Sequence, residues 1–227
     1  MYYDLIIVAL LSSSAVNHLP SVLIFKRPTW HNQPSKMKHE QLIRFVERNV
    51  PVDRFDIDLI ENYFEPVAVN KNVVLEREDK IANHLYFVNS GFVRVYHLEN
   101  GEEITTHINC QLNFITSFNS FITATPAQDN VESITPCELL RISKKHLDAL
   151  YQQSEKWTKF CKKIYEQSLT FNEQRMKDIL TLPAEKRYLK LIATQPEVIR
   201  NVPLQYIASY IGIKPASLSR IRRQVIS

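Results

Sequence analysis

The sequence predicts an α+β protein: an antiparallel β-barrel or jelly roll, then one long helix, then two short helices joined by a tight turn. Three observations carry this. Between Phe64 and Ile142, short β-branched and aromatic runs alternate with turn signals, the pattern of a barrel or jelly roll. After Ser143 the apolar period becomes that of helices. From Val202 to Gln224, residues Ile207, Ile211, Ile213, Leu218 and Ile221 fall where two crossing helices bury one common face.

The chain divides into four expected segments: an extension over 1–36, the barrel over 37–150, the long helix over 151–182 and the C-terminal helices over 183–227. The extension differs in composition from the rest. Its apolar run Leu5–Leu11 is shorter than the about 20 residues that span a bilayer. Asp4 is the one charged residue ahead of that run, where a secretory signal carries positive charge. Residues 1–36 are therefore expected to be upstream or disordered sequence, with the natural start at Met37. From Met37 an amphipathic helix places Leu42, Ile43, Phe45 and Val46 on its apolar side.

Short strands are expected at Val67–Val69 and Val73–Leu75, then at Leu85–Val88 and Phe92–Tyr96 on either side of Asn89-Ser90-Gly91. Asn100-Gly101 gives a strong hairpin signal before Ile104–Ile108, and Cys137–Ile142 closes the set. A helix over Lys144–Gln153 follows. Ser154 is placed to cap the long helix that runs to about Thr181. Trp157, Ile164 and Phe171 repeat at seven-residue intervals on that helix, with Cys161 beside them. Two readings fit this stripe: packing on its own barrel, or pairing with a second copy, and the second is preferred. Pro183 opens a supporting helix to Ala193.

The charge pattern points at the tail. The net charge is +4, and the tail from Val202 onward holds no carboxylate while Lys214, Arg220, Arg222 and Arg223 supply four positive charges. The rest of the chain therefore sums to zero, which directs a polyanionic partner to the tail. Three widely spaced cysteines exclude a disulfide framework or a Cys-x-x-Cys cluster and fit reduced thiols in the cytoplasm. Three glycines leave no phosphate-cradling loop of the nucleotide-hydrolysing kind.

Strand-rich barrel, long helix and C-terminal helix-turn-helix, in this order, resemble the Crp/Fnr superfamily of bacterial transcription regulators over residues 38 to 224. Leu85–Val95 resembles the family's barrel hairpin, Val202–Arg223 its DNA-binding motif, and Leu182–Tyr188 the hinge and support segment of Bacteroidetes-like members. The resemblance implies a cyclic nucleotide-binding-like sensor domain, a dimerisation helix bearing Trp157, Cys161, Ile164 and Phe171, and a winged helix-turn-helix. Leu204–Tyr210 would cross the DNA backbone and Pro215–Gln224 would be the recognition helix. Pro215, Ala216, Ser219 and Arg220 would face the bases, with Arg220 on a guanine. Lys214, Ser217, Arg222 and Arg223 would touch phosphate. Ala216 stands where many relatives carry an acidic base-reading residue, so the family operator does not transfer.

The sensor end departs from that pattern. Thr116 and Ser117 occupy the place of a Gly-Glu pair, and Ala127 and Gln128 that of an Arg-Ser pair, which together grip ribose and cyclic phosphate in cyclic-AMP-binding relatives. Without a cationic partner a buried phosphate is costly, so no tight cyclic AMP binding is expected and the effector is unknown. Phe114, Phe118 and Phe121 either surround a small apolar ligand or are core. His84, His97 and His107 read as surface or satisfied histidines rather than haem ligands, and no cofactor or metal is expected. The expected partners are double-stranded DNA and a second copy, with RNA polymerase left open and no membrane. Two other classes stay as alternatives: a ligand-binding regulatory module without a DNA role, and a cupin-like metal enzyme. The first reading, a non-enzymatic cytoplasmic regulator, is preferred.

Overall fold

Helix α1 (Ser35–Glu47) buries Leu42 and Val46, with Ile43 and Phe45 half-buried beside them, as its apolar spacing predicts. The computed structural model describes residues 35–109 and 111–226, so the expectations for 1–34 and for Cys110 lie outside the described residues. Ser35 and Lys36 already belong to α1, two residues ahead of the boundary expected at Met37.

Helix α2 (Arg54–Tyr63) is absent from the sequence expectations, although its N-terminus carries a capping box. The Asp53 carboxylate accepts from the Asp56 amide at 3.1 Å, and the Asp56 carboxylate accepts from the Asp53 amide at 3.1 Å. The strands are β1 (Glu65–Val69), β2 (Val74–Glu76), β3 (His84–Ser90), β4 (Val93–Glu99), β5 (Glu102–Asn109) and β6 (Phe114–Ile115). A short helix α3 (Phe118–Thr123) precedes β7 (Asn130–Ser133) and β8 (Cys137–Ser143). Asn100 and Gly101, both at positive φ, turn the β4–β5 hairpin as the Asn-Gly pair predicts.

The strands form two antiparallel four-stranded sheets, ordered β1-β8-β3-β6 and β2-β7-β4-β5. Apart from the β4–β5 hairpin, consecutive strands alternate between the sheets, as in a jelly roll. Val88, Val93, Val95, Ile115, Val131 and Leu139 fill the space between them. Because strand side chains alternate in direction, Arg94 and Tyr96 point out of the second sheet while Val93 and Val95 point in.

Helix α4 (Lys144–Gln153) follows β8 directly, capped by the Ser143 hydroxyl, which accepts from the His146 amide. Helix α5 (Glu155–Thr181) is the expected long helix. Ser154 stands at its N-cap position, but its hydroxyl donates to the Asp56 carboxylate at 2.9 Å instead of capping. The outer face of the first sheet, α1, α2, α4 and the start of α5 share a core containing Leu42, Ile60, Phe87, Leu140, Trp157 and Phe160.

This decides the stripe on α5. Trp157 and Cys161 are buried in the core of their own barrel and Ile164 packs against it, so a second copy cannot reach the first two. Phe171 is exposed further along the same helix. The seven-residue repeat is a packing stripe that outruns the barrel. The exposed apolar residues of α5 are Tyr165, Leu169, Phe171, Met176, Ile179 and Leu180. All but Phe171 lie together on a face rotated away from Trp157 and Ile164, because residues three and four apart share a helix face.

Four helices complete the described chain: α6 (Ala184–Thr194), α7 (Pro196–Asn201), α8 (Leu204–Tyr210) and α9 (Pro215–Ile226). Pro183 is the N-cap of α6 rather than its first residue, and the short α7 was not expected. Tyr188, Leu191, Val198, Val202, Ile207, Ala208 and Leu218 build their core, which Ile108 and Ile134 of the barrel join. The described residues thus belong to one compact unit. Among the described residues no strand follows β8, so the C-terminal helices carry no wing hairpin there. Nor is any helix among the described residues long and apolar enough to cross a membrane.

Candidate nucleic-acid interface

Helix α8 ends where the sequence placed the reversal. The Ile213 amide donates to the Ala208 carbonyl and the Gly212 amide to the Ser209 carbonyl, both at 2.9 Å. This is a Schellman turn, and it requires Gly212 in the left-handed region, at φ 72°. Any other residue there would strain the turn. The Lys214 carbonyl accepts from the Ser217 amide at 3.0 Å and the Leu218 amide at 3.2 Å, so α9 starts at once, with Pro215 in its first turn. Ala208 and Leu218 are fully buried where α8 and α9 meet.

That packing fixes which side of α9 faces outward. Pro215, Ala216, Arg220 and Arg223 are exposed, and Ser217, Ser219 and Arg222 are half-buried. On a helical projection Pro215, Ser219, Ala216, Arg223 and Arg220 form one continuous arc opposite Leu218. Four of these are the residues assigned to base reading from the sequence, and the structure brings them to one face.

Lys214 is different. Its ammonium reaches both oxygens of Glu102 at the β4–β5 hairpin, at 2.7 and 2.5 Å. The tail lacks carboxylates of its own, but the barrel supplies one from 112 residues away. Nothing local in the sequence signals this.

The same strand grips α8. The Thr105 amide on β5 donates to the Ser209 hydroxyl at 2.8 Å. Arg94 lies between the rings of Tyr96 and Tyr206, with its guanidinium 4.0 and 3.7 Å from the two centroids. It donates to Glu132 through Nε at 2.9 Å and through Nη2 at 2.6 Å, and to Glu103 through Nη2 at 2.6 Å.

Two of the effector residues expected from the sequence line one cavity. Phe114 and Phe118, with Cys161, Ile164 and Tyr165 of α5, line a cavity of about 30 Å³ between the barrel and that helix. Such a volume holds about two waters. Thr116, Ser117, Ala127 and Gln128 are not in its wall. Thr116 is buried and donates to the His84 carbonyl at 2.7 Å, while Ser117 is the N-cap residue of α3. The Ala127 main chain is tied to Asp79 and Lys80, both at 2.9 Å, and Gln128 is exposed. No lysine or arginine lines the cavity. Phe121 is core, in line with the second of its two readings. Cys137 and Cys161 are free and buried, and burial raises both thiol pKa values, that of Cys161 to about 11. Among the described residues no group of three His, Cys, Asp or Glu side chains is placed to hold a metal.

Comparison with known proteins agrees with the barrel. A cyclic nucleotide-binding domain family model matches residues 66–154. The chain has a mixed α/β cyclic nucleotide-binding fold, with antiparallel sheets and a long helix. It is similar to the c-di-GMP-responsive global regulator CLP of Xanthomonas campestris, with 20% identity and a TM-score of 0.61 over 76% of this chain and 91% of that one. FixK2 of Bradyrhizobium japonicum aligns with 17% identity and a TM-score of 0.60 over 71% of this chain and 84% of that one. A protein from Eubacterium rectale, described as a transcriptional regulator of the Crp/Fnr family, aligns with 15% identity and a TM-score of 0.60 over 76% and 83%. At these identities the likeness is one of fold. No curated protein sequence matches the chain.

Sequence reasoning missed Glu102, Glu103, Arg94 and Tyr206 as parts of this region. A lone arginine in a strand carries no signal of its own. Only the sheet topology reveals that it faces α8.

Proposed function

We propose that the protein is a cytoplasmic, DNA-binding transcriptional regulator of the Crp/Fnr type, without catalytic activity. In this reading α8 and α9 are a helix-turn-helix and α9 is the recognition helix. One observation carries it: a continuous arc of exposed Pro215, Ala216, Arg220 and Arg223 with half-buried Ser219 among them, free of carboxylates, on a helix set by a Schellman turn against α8. A helix of this kind enters a major groove, with Arg220 reading a guanine and Ser217, Arg222, Arg223 and Lys214 on phosphates. Two copies act together, covering the Leu169, Met176 and Ile179 face of α5, since a single helix-turn-helix needs two-fold symmetry to read two half-sites. The effector in this reading is not cyclic AMP, because Thr116, Ser117, Ala127 and Gln128 offer no cation to meet a phosphate. Calorimetric binding of cyclic AMP in the micromolar range would overturn that part.

The test of DNA binding is affinity for duplex DNA against salt. Arg222 and Arg223 from two copies give four cationic phosphate contacts and a log–log slope of about −4, steeper where Lys214 exchanges Glu102 for a phosphate. No retention of duplex DNA at low salt, or affinity indifferent to salt, would defeat the proposal.

A further inference from the structure

A short turn between α5 and α6 joins the C-terminal helices to the long helix. It consists of Leu182 and Pro183, both in extended backbone, with φ −96° and ψ 140° at Leu182 and φ −57° and ψ 151° at Pro183. Two such residues between helices make a hinge, because few dihedrals must change to swing one helix against the other.

Arg187, half-buried in the first turns of α6, closes that hinge from one side. Its Nη1 donates to the Leu182 carbonyl at 2.5 Å and to the Ile179 carbonyl at 3.3 Å, at the end of α5. Its Nε donates to the Ile211 carbonyl at 2.8 Å, at the end of α8. Its other terminal nitrogen lies 3.9 Å from where a Cβ on Gly212 would stand. One guanidinium therefore joins three helices at the two places where the chain turns.

Arg175 of α5 adds a second tie to the same turn. It donates to the Tyr210 carbonyl at 2.8 Å and lies 4.4 Å from the Tyr210 ring centroid. The last carbonyls of a helix have no partner within it. Here the Tyr210 carbonyl is satisfied by Arg175 of α5 and the Ile211 carbonyl by Arg187 of α6. Neither residue belongs to the exposed arc of α9.

We infer that Arg187 is a positioning residue that, at the hinge, holds α9 relative to α5, and so helps set the distance between the two recognition helices of a dimer. The inference rests on the DNA-binding reading above. Opening the hinge separates the Arg187 contacts on α5 from the one on α8, so the guanidinium holds a single geometry. Lysine cannot replace it, because one ammonium on a flexible stem does not present a rigid fork to three separated carbonyls. Arg187 touches no DNA in this arrangement. Its loss leaves the reading face of α9 intact and frees its placement.

The experiment uses the full chain and its Arg187→Lys and Arg187→Gln variants, each selecting from a randomised duplex DNA pool. Thermal unfolding and a salt titration on the wild-type consensus duplex accompany the selection. The expected result is one half-site spacing for wild type and a spread of spacings for both variants, with the same base preference inside each half-site. Affinity for the wild-type duplex falls by roughly tenfold or more, and the salt slope is unchanged. Variants that keep one spacing overturn the inference, including variants that only unfold earlier. So does a salt slope lowered by about one, which marks a direct phosphate contact. If wild type itself selects no sequence, the DNA-binding reading has failed, and the positioning role falls with it. Arg187→Lys retains charge and stem, so it reports on fork geometry even if Arg187→Gln fails to fold.

Discussion

Arg94 shows how one side chain ties the barrel to the C-terminal helices. It is 1% exposed, held by Glu132 and Glu103 and stacked between Tyr96 and Tyr206, while its Nη1 has no hydrogen-bond partner. Burying a guanidinium is costly, and the two carboxylates and two rings offset that cost only while all are in place. Truncation to alanine would strand the nearly buried Glu132 carboxylate and open a void beneath Tyr206. Arg94→Ala should therefore lower stability by about 3–5 kcal/mol, read as a shifted urea midpoint, and an unmoved midpoint would refute the clamp. Arg220 is the opposite case, exposed at one edge of the α9 arc. Arg220→Ala should leave the urea midpoint in place and relax selectivity at one base pair per half-site by about 1–3 kcal/mol. A binding selection reads this directly, and unchanged selectivity would remove Arg220 from base reading.

At the scale of elements, α5 separates what a sequence can disclose from what it cannot. Its existence, length and position are legible, because 27 residues of helical period leave few alternatives. The direction of its apolar stripe is not. Trp157, Ile164 and Phe171 repeat every seven residues, yet the barrel covers the first, touches the second and stops short of the third. Periodicity shows that a face is apolar without showing what covers it. The exposed face instead carries Leu169, Met176 and Leu180, which are 61%, 59% and 77% exposed. Leu169→Asp with Met176→Asp should convert a dimer to a monomer in light scattering while leaving the monomer folded. A dimer that persists would move the interface elsewhere. The α8–α9 pair was legible almost to the residue, because the Gly212 turn and Pro215 are local signals. The contacts of Lys214 and Arg94 were not, since both join residues far apart in the chain.

The barrel and the C-terminal helices are also joined through β5 and α5, which makes the molecule as a whole sensitive to pH. His107 on β5 hydrogen-bonds Asn172 on α5 at 3.0 Å. Burial is the main reason its pKa lies below the ordinary 6.5; Arg175 lowers it further, while Asn172 and Asp129 act the other way. His84 is shifted in the same direction, again chiefly by burial. Both imidazoles are thus held neutral in the folded chain. Below 6.5 the unfolded chain takes up their protons first, so stability present above that pH is lost as pH falls through the folded pKa values. Glu76 runs the other way: burial raises its pKa above 4.5, so its effect is to lower stability as pH rises from there. The thermal midpoint should therefore fall between about pH 7.5 and 5.5, and His84→Gln with His107→Gln should flatten that fall. A double variant that loses stability as steeply as wild type over this range would show that other groups carry the dependence and that the β5–α5 junction does not titrate.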